Sequence, residues 1–135
     1  MDPPRVGDDI REGTRALEAA GWAEARRAFE AALEQGESAE ALEGLGLALW
    51  FLGDVAEGIS CRERAFAAYQ REDRIHDAAR MAVWVSHQHA IGGRPSAARG
   101  WLARAERALA DAAEGPGHGW VAVESARHAT AVTEQ

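Results

Sequence analysis

The stretch "LGLALWFLGDVAEG", Leu45 to Gly58, opens with eight residues of which only Gly46 is not a large or methyl-bearing apolar residue, and it breaks at Gly53-Asp54. A membrane segment, a buried strand and a packed helix are all conceivable for such a run. Its apolar part is far below the ~20 residues that a helix needs to cross a bilayer. The rest of the chain decides between the other two.

Nearly half of the 135 residues are apolar, mostly Ala and Leu, and Ile, Phe and Tyr are few. Ala and Leu form helices readily, while the β-branched residues that favour strands are sparse. The formal net charge is −7. That argues against direct nucleic-acid binding and against an anionic membrane surface, since both select for basic patches. Lys and Asn are absent and all 15 basic residues besides His are Arg, a bias of composition and not a chemical signal. Cys61 is the single cysteine, so no internal disulfide is possible and a reducing cytoplasm is the simple expectation. Met1-Asp2-Pro3-Pro4 is acidic and lacks an apolar core, unlike a secretory signal.

Punctuation along the chain marks helices. Asp9 with Glu12 has the spacing of a capping box before Ile10 and Leu17, and Gly21 can end that helix. Ala25, Ala28, Phe29, Ala32 and Leu33 form a 3.6-residue stripe that Gly36 stops. Ser38 can cap a helix carrying Leu42, Leu45, Leu49 and Leu52, with Gly53 as its stop. Asp54 with Glu57 caps the next, which runs through Ala65, Phe66 and Tyr69. Asp73 can start a fifth helix, ended by Gly92-Gly93. Pro95 suits the first turn of a sixth, because its missing N–H would be unpaired there anyway. After Gly115-Pro116-Gly117 a seventh helix runs toward the C-terminus, with an apolar face at Trp120, Val121, Val123 and Ala126. The opening run is therefore a helix that is apolar nearly all round, and such a helix must be covered on several sides.

Overlaying the helices in pairs reveals a repeat. Ala25, Phe29 and Ala32 align with Gly58, Arg62 and Ala65, and those with Ala98, Leu102 and Ala105, at steps of 33 and 40 residues. Gly13 and Gly46 keep the same 33-residue step. Two helices per unit near ~34 residues is the spacing of tetratricopeptide repeats, and Leu45-Gly46, Leu49 and Gly53-Asp54 match that family's first-helix pattern. Arg62 stands where a large apolar residue is usual, Gly58 where Ala is, and Val85-Ser86 where Leu-Gly is. The chain resembles three such repeats, with hairpins over 8–36, 38–72 and 73–114, and an unpaired helix of a truncated fourth repeat over 118–135. The expected fold is all-α: a single domain of about seven helices in a right-handed α-α superhelix of antiparallel hairpins.

A narrower resemblance covers roughly residues 8 to 127. Ala68-Tyr69, Ala78-Ala79-Arg80, Trp84, Ala98, Gly100-Trp101-Leu102, Arg104-Ala105 and Gly117-His118-Gly119-Trp120 look like the N-terminal helical-repeat region of actinobacterial LuxR-type transcriptional regulators. In those proteins the repeats precede a DNA-binding helix-turn-helix domain. No helix-turn-helix signature is present in this sequence. The resemblance implies the regulatory or sensory portion of such a regulator.

Candidate chemistry is thin. His87 and His89 of His87-Gln88-His89 diverge on a helix, and no Cys pair or His-Glu-x-x-His completes a metal set. Cys61 reads as a small packing residue, and His118 and His128 as structural. Gly92-Gly93 and Gly115-Pro116-Gly117 lack the Gly-Lys-Ser/Thr of a phosphate loop. No catalytic residue, metal or cofactor is expected, so the chain reads as a non-catalytic interaction module.

Trp22, Trp101 and Trp120 are expected in the hairpin cores. Leu47, Trp50 and Phe51 fall toward the concave surface that first helices line in a tetratricopeptide array, beside Arg80, Val83, Trp84 and His87 of the next repeat. There a protein or peptide partner would be held by burial on the aromatic residues with Arg supplying orientation. The same residues can instead be buried by later repeats. Two other functions stay open: a small-molecule sensor with a pocket between repeats, and a structural or dimerisation spacer. The uncovered C-terminal helix has two expected outcomes: fraying after about Arg127, which the dilution of its stripe by Thr130, Thr133 and Glu134 favours, or pairing with a second copy in a homodimer. No membrane contact is expected.

Overall fold

The structure is a computed structural model that describes residues 5–133, and the side chains up to residue 130. Met1-Asp2-Pro3-Pro4 lie outside the described residues, and so does the final stretch of the expected fourth repeat. The described chain is all-helical, with seven helices and no strand. They are α1 (Val6–Glu18), α2 (Trp22–Glu34), α3 (Ala39–Leu52), α4 (Val55–Arg71), α5 (Ile75–Ile91), α6 (Pro95–Leu109) and α7 (Pro116–Thr133). Packing divides them into two compact units, the first ending at Ala68 and the second beginning at Tyr69, within α4.

The hairpin links share one backbone solution. Ala20, Gly53 and Gly93 adopt positive φ of +58°, +87° and +75°. After each, an N–H closes back over the helix end: Gly21 to the Ala16 carbonyl at 2.8 Å, Asp54 to Leu49 at 2.9 Å and Arg94 to His89 at 2.9 Å. This six-to-one closure pairs carbonyls that the helix leaves open. The three positions are 33 and 40 residues apart, the same steps as the sequence repeat, and Trp22, Val55 and Pro95 open the following helices in the same register.

Ser38 caps α3 as expected, its Oγ accepting from the Ala41 N–H at 3.3 Å. Three boundary residues differ from expectation. Asp9 is inside α1, whose N-cap is Arg5. Its carboxylate instead accepts from Gln35 Nε2 at 2.8 Å, and as an anion in the first turn it still complements the helix dipole. Ala20, not Gly21, takes the left-handed conformation after α1. Asp73 does not cap α5 but sits at φ +59° in the α4–α5 link, where the Arg74 N–H closes on the Tyr69 carbonyl at 2.9 Å. Asp tolerates that region better than most residues, and the local signal for a cap and for a turn is the same side chain.

In the first unit, α2 packs against α1 and α3. Phe29, 1% exposed, is the centre. An added Cβ at Gly13 would come within 2.6 Å of its ring, and one at Gly44 within 2.3 Å, so both neighbouring helices approach it through glycine. Ala25, Ala32, Ala41, Leu45, Ala48, Leu49 and Cys61 complete this core. Cys61 is buried, and desolvation raises its thiol above the ordinary value, which disfavours the reactive thiolate.

The repeat register explains Gly46 and Ser86. A Cβ at Gly46 would lie 3.1 Å from the Gly58 carbonyl oxygen and 2.9 Å from Arg62 Cγ. Ser86 holds the equivalent place in the third hairpin, and its hydroxyl donates to the carbonyl of Ala98, the counterpart of Gly58, at 2.7 Å. One hairpin closes by removing a side chain, the other by hydrogen-bonding it. Arg62, in the register of Phe29 and Leu102, is 3% exposed. Burial pushes its guanidinium down to about 10, with Glu43 opposing.

In the second unit, α5 and α6 pair closely and α7 packs on both. Ala78, Ala79, Met81, Ala82, Val85, Ala98, Leu102, Ala105 and Leu109 are buried. His76 fastens the start of α7. The Gly117 N–H donates to its Nδ1 at 3.1 Å, so Nε2 carries the hydrogen and donates to the Ala113 carbonyl at 3.0 Å.

The inward face of α7 is not the expected one. Gly117 and Glu124 are buried, and Trp120, Val121 and His128 half-buried, whereas Val123 and Ala126 are exposed. A carboxylate thus occupies the middle of the packed stripe.

Candidate recognition sites

The seven residues expected to form one surface belong to different units. Leu47, Trp50 and Phe51 lie on α3 in the first, and Arg80, Val83, Trp84 and His87 on α5 in the second.

On α3, Leu47 and Trp50 are half-buried. Phe51 is 52% exposed, and its other face stacks on Trp22 with ring centroids 4.0 Å apart and planes 7° from parallel. Trp22 is thus half-buried in a surface pair and not sealed in the core. Leu52 and Val55, at 42% and 38% exposure, extend the apolar surface around the α3–α4 turn. Three large apolar side chains are thus exposed within five positions at this turn, beside the Trp22 indole, and clusters of exposed apolar residues mark interaction surfaces.

The four α5 residues do come together. They line one side of a pocket of about 360 Å³ whose other side is Trp120, Val123, Glu124 and Arg127 of α7. The spacing is helical: Arg80, Val83, Trp84 and His87 repeat at three and four positions, as do Trp120, Val123, Glu124 and Arg127. Trp120, expected in a hairpin core, lines this pocket, and Glu124 and Arg127 join it without having been marked by the sequence pattern.

Glu124 organises the floor. It is 1% exposed. Arg127 Nη1 donates to its Oε2 at 3.1 Å. His87 Nδ1 and His128 Nε2 lie 3.4 and 3.2 Å from Oε1, at ion-pair distance without hydrogen-bond alignment. A buried carboxylate is tolerated only with such partners. Arg80 is held by Asp77, to whose Oδ1 its Nη1 donates at 2.6 Å, and its guanidinium lies 5.7 Å from the centre of the Trp120 ring. Burial works against the charge of Asp77, but Arg80 and Arg74 outweigh it and hold the carboxyl below its ordinary value. Trp84 is 42% exposed and meets the His87 ring edge-on at 6.4 Å.

Ser86, His128 and Glu124 are adjacent, but their geometry is not that of a catalytic triad. Ser86 Oγ and Glu124 Oε1 approach the same nitrogen, His128 Nε2, at 3.4 and 3.2 Å. A base must face the nucleophile with one nitrogen and its orienting acid with the other. Ser86 is also fully buried, and its hydrogen is engaged by Ala98. His89 turns away from His87 to accept from Arg94 Nε at 2.9 Å, the divergence expected from their spacing. Among the described residues no group of three His, Cys, Asp or Glu is arranged to hold a metal ion, and no helix is long and apolar enough to cross a membrane.

No family model, curated protein or solved structure matches the chain.

Proposed function

We propose that this chain is a non-catalytic protein-interaction module, and that a partner docks on the apolar patch at the α3–α4 turn. The patch of Phe51, Leu52 and Val55 carries this reading, because large apolar side chains left 38–52% exposed side by side lose favourable burial until something covers them. The tetratricopeptide-like register and the resemblance to LuxR-type regulators support a wider role as their regulatory or sensory repeat region. The test is site-specific crosslinking in the source cell, with a benzophenone amino acid at position 51 or 55 and at the exposed control position 91. Discrete adducts from 51 and 55 that disappear on Leu52→Ser are expected, and equal adducts from position 91 would sink the proposal. An adduct of twice the chain mass would assign the patch to a homodimer.

A second reading, small-molecule sensing, is supported by the α5–α7 pocket. Its volume of about 360 Å³ falls in the range of ligand sites, roughly 300–1,000 Å³.

A further inference from the structure

We propose that the α5–α7 pocket binds a small aromatic carboxylic acid, with the ring between the Trp84 and Trp120 side chains and the carboxylate on Arg127. This rests on the small-molecule reading of the pocket and is independent of the partner patch on α3.

Size sets the first limit. The pocket volume of about 360 Å³ lies near the lower end of the range of ligand sites, roughly 300–1,000 Å³. That is the scale of one aromatic ring with a short acidic arm. Wall chemistry sets the second. Two indoles and two valines, Val83 and Val123, face the space, and indoles favour a flat ring that can stack or pack edge-on.

Charge sets the third limit, and it separates acid from base. Arg80, Arg127 and Glu124 line the pocket, and Asp77 behind them neutralises Arg80, so the accessible groups decide and not the net charge. Glu124 is 1% exposed and already faces Arg127, His87 and His128. A cationic ligand therefore finds no accessible carboxylate in the lining. Arg127 is different: its side chain is 57% exposed, and one bond from Nη1 to Glu124 engages one of its five N–H donors. Glu124 fixes the guanidinium from below and leaves donors for a second carboxylate. Arg80 is engaged by Asp77 and the Trp120 ring. His87 turns Nδ1 to Glu124, which leaves Nε2 as the nitrogen on the opposite edge of its ring.

The experiment uses three probes of nearly one shape: 3-phenylpropionate, 3-phenylpropanamide and 3-phenylpropylammonium. Each is titrated into the chain, following the indole N–H signals of Trp84 and Trp120 by NMR. The acid should move both signals and bind about tenfold more tightly than the amide, as expected for a charge-assisted hydrogen bond to arginine. The ammonium should bind most weakly. Arg127→Gln should bring the acid to the level of the amide, and Arg127→Lys should restore most of the difference. Trp84→Ala should weaken acid and amide alike, and Phe51→Glu should leave both unchanged. Thermal melting of each variant shows whether a loss reflects the fold, and the acid–amide ratio within one folded variant is independent of that. Equal binding of acid and amide would overturn the choice of ligand while keeping the pocket reading. No shift of either indole at several millimolar of all three probes would overturn both.

Discussion

Arg62→Met should make the protein more stable. Position 62 shares its register with Phe29 and Leu102, and Arg62 is 3% exposed. A guanidinium ordinarily titrates far into the alkaline range. Held to about 10 by burial, it loses about 3 kcal/mol of preference for its charge on folding. That figure already includes the opposing attraction of Glu43. Methionine follows the path of the arginine stem, so it keeps the contact that Arg62 Cγ makes beside Gly46 and removes the charge. Replacing buried ionic groups by apolar ones of similar volume often stabilises by roughly 1–4 kcal/mol. About 1–3 kcal/mol is expected here. At this chain length that raises the melting temperature by roughly 3–9 °C. Urea unfolding followed by far-UV circular dichroism measures the change. A companion variant, Glu43→Gln, should destabilise the parent and have little effect when combined with Arg62→Met. Loss of more than about 1 kcal/mol in Arg62→Met, the lower edge of the expected gain with its sign reversed, would refute the reasoning. It would mean that the interactions of the Arg62 charge outweigh its desolvation.

Gly44→Ala places a Cβ 2.3 Å from the Phe29 ring and should destabilise by about 1–3 kcal/mol through overpacking; Phe29→Leu in the same chain should recover part of the loss in a thermal melt. Gln88 is 2% exposed, and neither of its amide atoms has a hydrogen-bond partner among the described residues. Gln88→Met should therefore stabilise by about 1–2 kcal/mol, and an unchanged or lower urea midpoint would count against it. Asp77 has a carboxyl held below its ordinary value, so its contribution is complete above the unfolded value of ~3.9 and is lost as pH falls through the lowered folded value. The stability difference between wild type and Asp77→Asn should accordingly be constant near neutral pH and shrink as pH falls below the unfolded value of ~3.9; a difference that grows on acidification would exclude this role.

Much of the fold was legible in the order of residues, because helices are local. Ala and Leu favour them, glycines end them, and a hydrophobic stripe at 3.6 residues shows which face turns inward. The run at Leu45 is a helix apolar nearly all round, and α3 buries Ala41, Leu42, Leu45, Ala48 and Leu49 on more than one side. The steps of 33 and 40 residues reappear as repeated turns at Ala20, Gly53 and Gly93, since a repeated hairpin needs the same closure each time. Helix ends were less legible where one residue type serves two purposes, as Asp73 does. The pocket lay beyond sequence reasoning for a different reason. Arg80, Val83, Trp84 and His87 were visible as one helical face, but the opposing wall depends on how α7 rotates about its own axis. Periodicity places Val123 and Ala126 inward and does not mark Glu124. Val123 and Ala126 are exposed, and Glu124 is buried where His87 from α5 meets Arg127 and His128 around its carboxylate. A buried charge is determined by partners distant in sequence, and only tertiary structure assembles them.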